Sequence, residues 1–94
     1  MFYFTYVLQS LRDNLHYIGH CKDLKERLGE HNSGKVISTR NRRPLELIYF
    51  EACKDLNSAI QREKYFKTGF GRRYLKNRLG GRSVKEQARP PSQA

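Results

Sequence analysis

Arg27 and Glu63 fall on helical stripes where the sequence otherwise places apolar residues. In the segment 23–32, Leu24, Arg27, Leu28 and His31 recur at i, i+3, i+4 and i+7, the spacing of one helix face. The segment 55–70 repeats the pattern with Leu56, Ala59, Ile60, Glu63, Phe66 and Lys67. Burying an unpaired charge is costly, so a guanidinium, an imidazole and a carboxylate on inward faces need partners or a purpose. Two tyrosines on a predicted hairpin, Tyr6 and Tyr17, stand where they could meet them. Such groups together can neutralise an anionic substrate and move a proton. The set reads as a site.

The elements that must position it follow from pattern. Phe2 to Leu8 is aromatic and β-branched and predicts a strand, with Phe2, Phe4, Tyr6 and Leu8 on one face. Turn chemistry over 10–14 returns the chain as a second strand from Leu15 to His20. A four-residue loop that sets Gln9 against Asn14 would place Tyr6 directly opposite Tyr17. Asp23, with Glu26 three residues on, caps a first helix that stops near Asn32-Ser33-Gly34. An irregular loop from Lys35 to Pro44 carries Lys35, Arg40, Arg42 and Arg43. Leu45 to Cys53 is a third strand. Asp55 caps a second helix ending near Thr68-Gly69, and Gly71 to Leu79 forms a short basic helix with Arg72, Arg73, Lys76 and Arg78. The expected fold class is α+β: a small three-stranded antiparallel sheet flanked by helices, in the order β-β-α-β-α-α. The domain spans 1–79, and the Arg-, Gln-, Ser- and Pro-rich segment 80–94 is expected to be a basic, disordered tail.

Composition narrows the partners. Nineteen Lys and Arg against nine Asp and Glu give a formal charge of +10. That excess points to a polyanion, nucleic acid before an anionic membrane surface. No stretch is long and apolar enough to span a bilayer, and the Met1-Phe2-Tyr3 start lacks the basic head of a secretory signal. Cys21 and Cys53 have no C-x-x-C spacing and are expected as reduced thiols in the cytoplasm, with Cys53 a small core residue. His16, His20, Cys21 and His31 fit none of the usual zinc spacings.

Tyr6, then Tyr17-Ile18-Gly19, Arg27, His31-Asn32-Ser33-Gly34 and Ala59-Ile60-Gln61-Arg62-Glu63 occur in an order and spacing that resemble the GIY-YIG nuclease superfamily. The small stand-alone members, similar to the N-terminal nuclease domain of excinuclease, are the nearest in kind, which implies a DNA-repair setting. The likeness covers roughly residues 2 to 79. It implies that Tyr6 and Tyr17 are the motif tyrosines, with Gly19 a structural glycine. Arg27 then matches the helix arginine, His31 the polar residue a turn later, and Glu63 the single metal-binding glutamate. His20 stands where some relatives carry a lysine. One departure is plain: the first triad reads Phe4-Thr5-Tyr6, which keeps only the tyrosine.

Hydrolysis of a phosphodiester needs an activated water in line with the leaving oxygen and neutralisation of phosphoryl charge. Glu63 can hold one Mg²⁺ (or Mn²⁺), and the chain shows no acidic cluster for a second metal. Arg27 offers a fork to the phosphate. A tyrosine, Tyr6 or Tyr17, is the expected general base, with His31 relaying or orienting. His20, Lys35, Arg40, Arg42, Arg43, Arg72 and Arg73 are expected to contact the substrate, DNA before RNA. The expectation is a single-metal DNA endonuclease. A catalytically silent nucleic-acid-binding module is the rival, and an adaptor docking through its basic tail a weaker third.

Overall fold

Side-chain alternation along the first strand divides the molecule into two half-cores. A computed structural model describes residues 1–80. It contains β1 (Tyr3–Ser10), β2 (His16–Cys21), α1 (Leu24–Asn32), β3 (Leu45–Cys53), α2 (Leu56–Phe66) and α3 (Gly69–Leu79), with a single 3₁₀ turn at Arg40–Arg42. The strands form one antiparallel sheet in the order β2-β1-β3, so β1 is central and β2 an edge. The element order is β-β-α-β-α-α, as the sequence predicts. Tyr6 and Leu8 pack on one face with Leu24 and Leu28 of α1 and Leu45 and Leu47 of β3. Val7 packs on the other with Phe66 of α2, Leu75 of α3, Ile18, Ile48 and Tyr49. A register shift after Val7 lets Leu8 face Leu47 while Val7 faces Tyr49. The skipped Ile48 is the extra residue of a bulge, and it joins Tyr49 on the α2–α3 side.

The hairpin register differs from the expected one. Ser10, not Gln9, closes the turn: its N–H donates to the Leu15 carbonyl at 2.9 Å, leaving four residues, 11–14, in the loop. Asp13 Oδ1 accepts from the Leu15 N–H at 2.8 Å, and Asn14 takes the left-handed φ of 63°. Gln9 therefore faces His16, Tyr6 faces Gly19, and Tyr17 lies opposite Leu8. Tyr6 and Tyr17 stay on one face as diagonal neighbours, with ring centroids 6.3 Å apart.

The helix boundaries also move. Asp23 and Asp55 cap α1 and α2 as expected, accepting from the Glu26 and Ser58 N–H groups at 2.9 Å each. The second helix stops at Phe66 because Thr68 turns out and becomes the cap of α3, its hydroxyl accepting from the Gly71 N–H at 3.1 Å. On α2 the buried stripe is Ala59 and Phe66, whereas Leu56 and Lys67, expected inside, are exposed. Arg62 fills the gap: it holds Glu51 by two bonds of 2.7 and 3.1 Å and lies 4.7 to 4.9 Å from the rings of Tyr65, Phe66 and Tyr74. Both cysteines are free and half-buried. Cys53, read as a core residue, donates instead to the Asp55 carbonyl. The expected tail lies, from residue 81 on, outside the described residues.

Candidate active site

Four of the five expected catalytic residues meet on the α1 face of the sheet. The α1 stripe turns Arg27 and His31 toward β1, with Leu24 and Leu28 packed beside them. Asn32 fixes the last turn by clamping both backbone groups of Leu45: its Nδ2 donates to the carbonyl at 2.9 Å and its Oδ1 accepts from the N–H at 2.8 Å. His31, 0% exposed, then brings Nε2 to 3.0 Å from the Tyr6 hydroxyl, which is itself buried. Arg27 Nε donates to the same phenolic oxygen at 3.4 Å, and its Nη1 donates to Glu30 at 2.9 Å. The Tyr17 ring meets the His31 ring edge-on at 4.9 Å.

These contacts set the charges. Burial pushes the Tyr6 phenol up to about 12, against the Arg27 hydrogen bond that works to lower it. Burial, with the Arg27 charge, drives His31 down to about 4. At neutral pH both are uncharged, and Arg27 is the fixed positive charge over the pair.

Glu63 stands elsewhere. Thr5 faces His20 in the ladder while Tyr6 faces Gly19, so alternation sends His20 to the opposite side of β2 from the two phenols. There Glu63 Oε1 meets His20 Nδ1 at 2.6 Å, and Oε2 accepts from Lys67 Nζ at 2.7 Å. Burial works to raise the Glu63 pKa, but the hydrogen bonds and charges of Lys67 and His20 outweigh it, and the carboxylate is held below its usual range. The two sets of groups lie on opposite faces of β2 at the adjacent residues Gly19 and His20, and the Tyr6 ring closes on the Gly19 backbone. Gly19 is what allows the approach: a Cβ there would fall 2.6 Å from Tyr6 Oη and 2.8 Å from Cζ. The phenolic oxygen therefore lies over bare backbone, with the Glu63–His20 pair on the far side of the same strand.

A magnesium ion keeps most of its waters and binds proteins through one or two carboxylates. Glu63 supplies one such group, ionised and half-buried, and Lys67 covers its second oxygen with a side chain 53% exposed. A single metal ion on Glu63 would have to displace His20 or Lys67 from a carboxylate oxygen. Among the described residues, no group of three or more His, Cys, Asp or Glu side chains is placed to hold a metal ion.

The expected substrate contacts divide. Lys35, Arg40, Arg43 and Arg73 are exposed, although Arg40 and Arg43 each give Nε to a backbone carbonyl within the loop. His20 is committed to Glu63. Arg72 is half-buried. Arg42 is taken up structurally: Nε donates to Asp13 at 3.1 Å, Nη2 donates to the His16 carbonyl, and its own carbonyl accepts from the Ser10 hydroxyl at 2.6 Å. It pins the loop to the hairpin.

One residue of the cluster escaped sequence reasoning. Thr39, fully buried, places Oγ1 at 2.7 Å from His31 Nδ1. A threonine among loop arginines carries no periodic signal, and nothing in spacing ties it to a helix residue eight positions earlier.

Comparison with known proteins gives the family. A family model described as the GIY-YIG catalytic domain matches residues 2–77. A UPF0213 protein of Bacillus pumilus is 45% identical over 67 residues, 70% of this chain and 67% of that protein. The UPF0213 protein YazA of Bacillus subtilis is 42% identical over 66 residues, 69% and 66% of the two chains. The chain thus spans about two thirds of the length of these relatives. The solution NMR structure of the UPF0213 protein BH0048 from Bacillus halodurans superposes with a TM-score of 0.52 at 28% identity, covering 86% of this chain and 88% of that one. Phenol, imidazole and guanidinium converge over a bare glycine on a matching fold, and the chain belongs to the GIY-YIG catalytic domain family.

Proposed function

We propose that this chain is an endonuclease that hydrolyses phosphodiester bonds in DNA, with Tyr6 as general base and Glu63 as the protein's ligand to one Mg²⁺. The observation that carries the reading is the buried Tyr6–His31 contact under Arg27, with the phenolic oxygen over the backbone of Gly19 on the edge strand β2. A phenol becomes a base when a fixed cation stabilises the phenolate and a neighbour accepts the proton. Arg27 and the neutral His31 Nε2 are those two groups. At rest the proton stays on Tyr6, because burial favours the neutral form of both partners. An anionic phosphate raises the proton affinity of a nearby imidazole and so eases the transfer. Arg27 supplies charge to the phosphoryl group. Glu63 would hold the metal ion, which when bound supplies further positive charge to the phosphate oxygens. Lys35, Arg40, Arg43 and Arg73 would contact the phosphate backbone, which positions a strand without reading its sequence.

A binding module without turnover is the second reading. Both Glu63 oxygens are already held by His20 and Lys67, which favours it. A panel of single-stranded, duplex and branched DNA and RNA, incubated with Mg²⁺ or with chelator, separates the two. The endonuclease reading expects Mg²⁺-dependent cuts that Glu63→Gln lowers by 100-fold or more, as on the order of 3 kcal/mol of lost transition-state stabilisation requires, with DNA binding retained. Binding with no cuts under any metal leaves the module.

A further inference from the structure

We infer that Thr39 is a positioning residue: its buried hydroxyl fixes His31 in the tautomer that leaves Nε2 open to the Tyr6 proton. The inference rests on the reading of Tyr6 as the base and adds what sets the direction of the relay. Tyr6 is 1% exposed, so its hydroxyl proton has to find an acceptor inside the protein. Arg27 Nε is a donor, which leaves His31 Nε2 at 3.0 Å to accept. Nε2 must therefore be unprotonated. A neutral imidazole then carries its hydrogen on Nδ1, which needs an acceptor of its own. Thr39 Oγ1 is that acceptor at 2.7 Å, and its own hydroxyl points toward the Val36 carbonyl at 3.5 Å. Every donor in the chain is then used once, in one sense: Tyr6 to His31 to Thr39 to Val36. His31 and Thr39 are wholly buried, so bulk water does not stand in for either of them.

The loop is built to put Thr39 there. The Thr39 N–H donates to the Val36 carbonyl at 3.1 Å, and the Thr39 carbonyl accepts from the Arg42 N–H at 2.9 Å, which starts the 3₁₀ turn. Arg42 in turn is bound to Asp13, the His16 carbonyl and Ser10 at the hairpin end. The loop is thus held at its far side by the hairpin and at its inner side by His31. This explains why a loop of arginines spends one of them on structure and buries a threonine.

Removing the hydroxyl while keeping the shape, Thr39→Val, leaves the buried Nδ1–H without a partner. The imidazole relieves this by moving its proton to Nε2, which then donates to Tyr6 Oη. The phenol loses its acceptor and the relay is reversed. Thr39→Ser restores the oxygen. The readout is the ring ¹⁵N shifts of His31 in the full chain at pH 7, beside kcat and KM for DNA cleavage. A wrong-tautomer histidine costs about 10⁴-fold in a serine protease triad. Through a neutral hydroxyl we expect kcat to fall by about 10- to 100-fold in Thr39→Val with KM little changed, and to recover within a few-fold in Thr39→Ser. The wild-type spectrum should show Nδ1 protonated and Nε2 bare, and Thr39→Val should shift it toward protonated Nε2. The wild-type measurement needs no variant to fold. Protonated Nε2 in the wild type, or a Thr39→Val chain with unchanged tautomer and kcat, overturns the inference even if the chain cuts DNA. An inactive wild type with the expected tautomer, reversed by Thr39→Val, instead retires the nuclease reading and keeps the role of Thr39 in orienting His31.

Discussion

His31 is where sequence and structure agree most closely and where the energetic stakes are highest. The sequence places it on the inward stripe of a helix, and the structure buries it completely between Tyr6 and Thr39. Its folded-state pKa of about 4 lies below the ordinary 6.5. Above pH 6.5 neither folded nor unfolded chain protonates it, and the stability linked to His31 is fully present. As pH falls the unfolded chain takes the proton first, so stability is lost between pH 6.5 and about 4 and levels off below. The size is about 3 kcal/mol, at 1.36 kcal/mol per pKa unit. Urea unfolding at several pH values should show this loss in the wild type and not in His31→Gln, after subtracting what both chains share. Equal pH slopes for the two would contradict the burial of a neutral imidazole. Thr39 shows the limit of legibility at this scale. Its role comes from a tertiary contact made by an irregular loop, and no local pattern encodes such a contact.

At the scale of elements, period and caps were legible because they are local. The alternation of β1, the stripe on α1 and the aspartate caps at Asp23 and Asp55 all stand in the structure as the residues predict. What the sequence misplaced depends on a choice between neighbours. Ser10 rather than Gln9 closes the hairpin because its side chain accepts from the Arg12 and Asp13 N–H groups, each at 3.1 Å, and ties the turn to Arg42. Thr68 is both the end of one helix and the cap of the next, so a reading by periodicity runs α2 too far. The sharp α2–α3 junction depends on Gly71. A Cβ there would lie 1.9 Å from the Tyr65 carbonyl oxygen and 2.6 Å from the Phe66 Cα, backbone atoms that cannot swing aside. Gly71→Ala should therefore separate the helices and destabilise the chain by about 2 to 3 kcal/mol. Thermal unfolding should record a fall in Tm of about 10 to 20 °C. A change under a degree or two would mean that the junction is looser than its contacts indicate.

At the scale of the molecule, the charge of +10 and the exposed Lys35, Arg40, Arg43 and Arg73 suit a polyanionic partner. The fold delivers the phenols, imidazole and guanidinium to one side of β2 and the carboxylate to the other. Spacing along the chain does not give this division, because whether α2, and with it Glu63, packs on the same face of the sheet as α1 is a tertiary choice that no local pattern encodes. The proposed function requires both groups to act on one phosphate. A double-mutant cycle on Mg²⁺-dependent cleavage, comparing Tyr6→Phe, Glu63→Gln and the pair, asks this directly. Residues that act as a unit are strongly non-additive. We predict that each single change lowers kcat/KM by about 100-fold or more, with the double little worse than either. Cleavage that survives either single change, or losses that simply multiply in the double, would contradict a shared phosphate at the β2 edge.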